Sequence, residues 1–83
     1  MTPPMDRPDL IVTLAFDPMQ GLADLEPQLS VLKADALARG YPFDKHAVRN
    51  ELQAATFRLR EPRLVRLLVG SAGGLAIEVS PPV

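Results

Sequence analysis

Large apolar residues occupy every second position from Leu10 to Phe16, with Ile11, Thr13 and Ala15 between them. This period of two predicts a strand that buries one face and exposes the other. The Asp17–Pro18 dipeptide that follows ends the strand. It is also a favourable start for a helix, with Asp17 as the N-cap and Pro18 at the first helical position.

Apolar residues then recur at helical intervals from Leu22 to Arg39. Pro27 lies within this run, and it fits a helix whose N-cap is Asp24. In that arrangement Pro27 occupies the first turn, where a missing N–H costs nothing. Gly40 predicts the C-terminal end of the helix, since glycine readily adopts the left-handed conformation found there.

A second helix is predicted to begin after Asp44, which is a favourable N-cap. Its apolar residues follow helical spacing from Val48 to Leu59. The Glu61–Pro62 dipeptide predicts its end, because the residue before a proline is disfavoured in helical conformation.

The segment RLVRLLVGSAGGLAIEVS, residues 63–80, consists of two apolar runs joined by a glycine-rich turn. Pairing Val69 with Leu75 in a hairpin places Arg66 opposite Glu78, a favourable cross-strand pair. A shift of one residue would mix charged and apolar residues on both faces. The predicted register forms one apolar face, which we expect to be buried under the helices: Val65, Leu67, Val69, Leu75, Ile77 and Val79.

The predicted order of elements is strand, helix, helix, strand, strand. It predicts an α+β two-layer sandwich, with a three-stranded sheet and two helices on one face. The 83 residues and 9.0 kDa are enough for one small domain. We expect a flexible, proline-rich arm over residues 1–8, the domain over residues 9–80 and a short tail over residues 81–83.

The face of the sheet away from the helices would carry both apolar and charged residues. We interpret it as a protein interface formed by Ile11, Leu64, Arg66, Leu68 and Glu78. The leading hypothesis for function is therefore a small non-enzymatic interaction module, such as an adaptor, an inhibitor or an accessory regulator. It would bind a protein partner or a second copy of itself, most simply as a homodimer.

Charge is distributed unevenly along the chain, although the formal net charge is only −1. Residues 39–66 contain seven basic and three acidic residues. The alternative hypothesis is therefore a nucleic-acid-binding module, in which a basic stripe on the second helix contacts phosphates. The proposed contacts are Lys45, Arg49, Arg60 and Arg63.

The pattern of residues predicts no catalytic residue, metal ligand or cofactor. His46 is the one histidine and cysteine is absent, whereas zinc sites use several nitrogen or sulfur ligands. The GSAGG segment joins two strands, whereas a phosphate-binding loop joins a strand to a helix. An enzyme whose site is not evident from the residue pattern remains a third hypothesis.

The apolar run from Leu10 to Phe16 is too short to span a bilayer, and no basic segment precedes it. We therefore expect a cytoplasmic protein that does not contact a membrane. The absence of cysteine, which excludes disulfides, agrees with a reducing compartment.

Overall fold

The computed structural model describes residues 9–82 of the chain. The predicted arm over residues 1–8, and Val83 of the predicted tail, lie outside this range. The elements in chain order are β1 (Leu10–Asp17), β2 (Gly21–Leu22), α1 (Leu25–Arg39), α2 (Lys45–Thr56), β3 (Arg63–Val69) and β4 (Leu75–Ser80).

The four strands form one antiparallel sheet with the spatial order β2-β1-β3-β4. The chain is α+β, but the predicted three-stranded sheet is wrong. The predicted order of elements is wrong as well, because a second strand precedes the first helix. Within residues 9–82, neither helix combines the length and the apolar content needed to cross a bilayer.

The additional strand arises from a tight turn at Asp17. The carboxylate of Asp17 accepts the Met19 N–H at 2.7 Å, and its carbonyl accepts the Gln20 N–H at 3.1 Å. Aspartate commonly bonds the backbone two residues ahead in turns. Gly21, with a φ of 83°, then returns the chain alongside β1. Asp17 therefore begins a turn and not a helix, and Leu22 belongs to β2.

Helix α1 begins at Leu25, so the predicted N-cap position at Asp24 is confirmed. The side chain of Asp24, however, makes no capping hydrogen bond, and its backbone is left-handed with a φ of 53°. The predicted end at Gly40 is confirmed. Gly40 donates its N–H to the Leu37 carbonyl at 3.1 Å, and Tyr41 donates to Ala36 at 2.8 Å. This is the Schellman arrangement of a helix end.

Asp44 is the N-cap of α2, as predicted, and its carboxylate accepts the N–H groups of His46 and Ala47. The helix ends at Thr56, however, so its predicted continuation to Glu61 is wrong. The next residues form a turn, in which Leu59 donates its N–H to the Thr56 carbonyl at 3.1 Å. Leu59 reaches the core from this turn, although its spacing along the sequence resembles that of a helix.

The predicted hairpin register is confirmed, because Val69 pairs with Leu75 and Arg66 pairs with Glu78. Strand β3 also pairs with β1 along its whole length, from Leu10↔Val69 to Phe16↔Arg63. One side of the sheet packs under both helices. The fully buried core includes Leu14, Leu29, Tyr41, Val48, Leu52, Val65, Leu67 and Val69.

Strand β4 is less buried than the sequence pattern predicts. Leu75 and Ile77 are half-buried, and Val79 is 41% exposed. The predicted burial of Val79 is therefore wrong, because β4 is an edge strand and Val79 lies near its end. The core is centred on β1 and β3.

The central position of β3 can be tested by truncating one buried side chain. Leu67→Ala should lower the free energy of unfolding by about 2–5 kcal/mol, because it leaves a cavity among fully buried neighbours. The control is Leu68→Ala, next in the same strand but half-buried on the opposite face. Denaturant unfolding measures both variants, and equal losses would contradict this description of the core.

Candidate functional site

The side of the sheet opposite the helices is uncovered within residues 9–82, and we call it the open face. Strand register places its nine residues in three rows across β1, β3 and β4. These rows are Ile11–Leu68–Ala76, Thr13–Arg66–Glu78 and Ala15–Leu64–Ser80. A polar row thus lies between two mainly apolar rows.

An ion pair occupies the middle row. The Nη2 atom of Arg66 lies 2.9 Å from Oε1 of Glu78, and the two side chains are 50% and 57% exposed. Thr13 lies next to Arg66 on β1. Cross-strand pairing positions both charges, so the pair is a direct consequence of the β3–β4 register.

The structure brings all five residues of the predicted protein interface onto this one face. Leu64 and Leu68 flank Arg66 and are half-buried, and Ile11 is 54% exposed beside Leu68. The open face thus combines apolar side chains with one pair of opposite charges. Its use as an interface remains a prediction.

The four predicted nucleic-acid contacts do not form a stripe on α2. Lys45 and Arg49 lie on the helix, but Arg60 lies in the turn after its end and Arg63 begins β3. Arg63 is 3.3 Å from the Glu61 carboxylate. The two cations on α2, Lys45 and Arg49, also form a polar contact between the two helices.

That contact is made by Glu26 in the first turn of α1. Arg49 binds its carboxylate through two hydrogen bonds of 2.9 Å, from Nε and Nη2. Lys45 Nζ lies 3.2 Å from the same carboxylate and donates to the hydroxyl of Ser30, also at 3.2 Å. The hydrogen bonds from Arg49, followed by those from Lys45, lower the pKa of Glu26 below its ordinary value. The same contact raises the pKa of Arg49.

Sequence reasoning did not identify Glu26, which is 23 residues from Arg49. Its only signal was an acidic residue in the first turn of a helix, where it complements the helix dipole. The partner across the helices depends on how α1 and α2 pack, which the sequence pattern does not specify.

A groove of about 420 Å³ lies between the α1–α2 connection and the β3–β4 turn. Its lining is mainly apolar and includes Phe43, Val48 and Leu75. Gly73 has a φ of 92°, and a side chain there would meet Pro42 at 3.1 Å. The turn thus needs glycine for its backbone conformation and for close packing. This agrees with the predicted hairpin turn.

Across residues 9–82, no three histidine, cysteine, aspartate or glutamate side chains are grouped so that they could hold a metal ion. The carboxylate oxygen of Asp44 at the groove caps α2. Nδ1 of His46 lies 3.5 Å from Nη1 of Arg49. The polar groups near the start of α2 are therefore used in structural contacts.

No protein-family model matches the chain, and no curated protein matches it. A solved structure does share its fold: a "putative amino-acid aminotransferase" from Mesorhizobium loti. The TM-score is 0.80 at 22% sequence identity, over 88% of this chain. The matched part is 35% of the Mesorhizobium loti chain, so our chain spans about a third of that protein. At this identity the likeness concerns the fold alone.

The comparison corrects the functional hypotheses drawn from the sequence. The same arrangement of strands and helices forms part of a larger protein that is named as an enzyme. The interpretation of the chain as a small non-enzymatic adaptor, inhibitor or regulator is therefore wrong. The likeness does not test the alternative of nucleic-acid binding, which remains a prediction. The likeness is partial and distant, and it does not assign catalysis to this chain.

The Glu26 contact makes stability dependent on pH. Because the pKa of Glu26 is lowered in the folded state, its contribution is present above the ordinary value of 4.5 and is lost as the pH falls through the folded pKa. Glu26→Gln should therefore lower the Tm at neutral pH. The difference in Tm between this variant and the unmodified chain should become steadily smaller as the pH falls below about 4.5.

Thermal unfolding between neutral and strongly acidic pH measures this effect. Glu51→Gln, which removes an exposed carboxylate from α2, is the matched control. A Tm difference for Glu26→Gln that stays constant over the acidic range would contradict the assignment.

Proposed function

We propose that this chain is one structural unit of an enzyme of the amino-acid aminotransferase type. In this role the chain provides part of the structural framework of the enzyme. The groups that react with the amino acid lie outside the chain. The observation that carries the proposal is the fold match over 88% of the chain with part of a protein of that name. The unit would take part in moving an amino group between an amino acid and an oxo acid.

The extent of the match supports a framework role. Almost the whole of this chain corresponds to 35% of the Mesorhizobium loti protein. The rest of that protein is therefore about twice as long as the matched part. An active site is usually assembled from several elements, at concave places between them. A unit of this size accordingly contributes one part of such a site.

The positions of the lysines support the same conclusion. Amino-group transfer passes through imines, and lysine is the side chain with which enzymes form them. Lys33 is exposed on α1. Lys45 is held against Glu26 and Ser30, where it helps to join the two helices. Both lysines of the chain thus lie on the helical layer, away from the open face.

A chimera tests the proposed function. Residues 9–82 would replace the matching third of the Mesorhizobium loti protein, and amino transfer from a panel of amino acids to 2-oxo acids would be measured. We expect the chimera to fold cooperatively and to retain measurable transfer. A chimera carrying Leu67→Asp, which places a charge in the core, is the matched control and should lose both properties.

The second part of the experiment measures amino transfer by the isolated chain. This chain should give no transfer above a blank, because it lacks the reacting groups. Transfer by the chain alone that is lost in Lys45→Ala or Lys33→Ala would overturn the framework role. A chimera that fails to fold or to react, beside an active parent protein, would overturn the assignment to this type of enzyme.

A further inference from the structure

The two columns of the open face that belong to β3 and β4 differ in size and charge. On β3 the column consists of Leu64, Arg66 and Leu68, which are long, with a cation at the centre. On β4 the column consists of Ala76, Glu78 and Ser80, which are small except for the central anion. Each residue of one column thus lies beside a residue of opposite character.

We propose that the open face binds a second copy of this chain. The twofold axis would run parallel to the strands, between the two sheets and midway between β3 and β4. Such an axis places β3 of one copy over β4 of the other. Arg66 then faces the partner's Glu78, Leu68 faces the partner's Ala76, and Leu64 faces the partner's Ser80.

Shape and charge favour this occupant over an unrelated protein surface. Packed sheets lie about 10 Å apart, a distance filled well when long side chains face short ones. The twofold axis pairs long with short at Leu64 and at Leu68. It also turns two ion pairs into a ring of four charges of alternating sign, in which each charge has two opposite neighbours. The part of the open face formed by β3 and β4 is thus complementary to itself.

The face is small, which sets the strength of the contact. The proposed axis superposes only the β3 and β4 columns of the two copies. Strands are about 4.8 Å apart and advance about 3.4 Å per residue, so two strands and five residues span roughly 10 × 17 Å in each copy. Such an area lies well below the roughly 800 Å² per partner of a standard specific interface, so the contact is expected to be weak and transient. We therefore expect a dimer with a Kd of roughly 10–1,000 μM, and we expect it whether or not the chain takes part in amino transfer.

Charge exchange between copies provides the test. Arg66→Glu gives a face with two anions, and Glu78→Arg gives a face with two cations. Each variant alone should bind itself at least about tenfold more weakly than the original chain, because like charges would meet across the axis. An equimolar mixture of the two variants should associate, since one face is then wholly anionic and the other wholly cationic.

Sedimentation velocity from about 10 μM to 1 mM measures these associations. Lys33→Glu and Asp35→Arg are the controls, because they change the net charge equally at exposed positions of α1. Both should associate as the original chain does. Thermal unfolding of every variant separates loss of association from loss of folding.

Three outcomes would overturn the proposal. The first is an original chain that remains monomeric at 1 mM. The second is a dimer that neither charge variant weakens, which would place the contact at another surface, such as the β4 edge. The third is a mixture of the two variants that associates no better than either variant alone.

Discussion

The register of β3 between β1 and β4 is the constraint on which the rest of the structure depends. Side chains alternate between the two faces of a strand, so a shift of one residue would exchange the core with the solvent-facing side. With the observed pairing, Val65, Leu67 and Val69 are fully buried, and Arg66 joins Glu78 on the other side. One set of backbone pairings therefore determines both the core and the open face.

The helical layer depends on this sheet. Helix α1 is apolar on more than one side, since Val31 and Leu37 are largely exposed while Leu29 and Leu32 are buried. Its orientation therefore needs a further contact, and the bonds from α2 to Glu26 supply one near the N-terminal ends of both helices. A buried apolar layer and one exposed polar contact thus hold the helices together over the sheet.

Features that repeat along the sequence could be predicted, and features that depend on a single local contact could not. The hairpin register was predictable because alternation and the Arg66–Glu78 pair select the same alignment. Strand β2 has only two residues, too few for a periodic pattern, and it depends on the turn at Asp17. The spacing of Leu59 continued the helical pattern although the helix had ended. The likeness to part of the Mesorhizobium loti protein could not be predicted from the residue pattern either, because the two chains share the fold at only 22% sequence identity.

The central claim is that β3 aligns Thr13, Arg66 and Glu78 in one row, with the helices on the other side of the sheet. NMR spectroscopy tests it most directly, through short cross-strand contacts between backbone protons. Such contacts should link Thr13 with Arg66 and Arg66 with Glu78. A shift of one residue in the backbone contacts between β3 and β1, or between β3 and β4, would contradict the account.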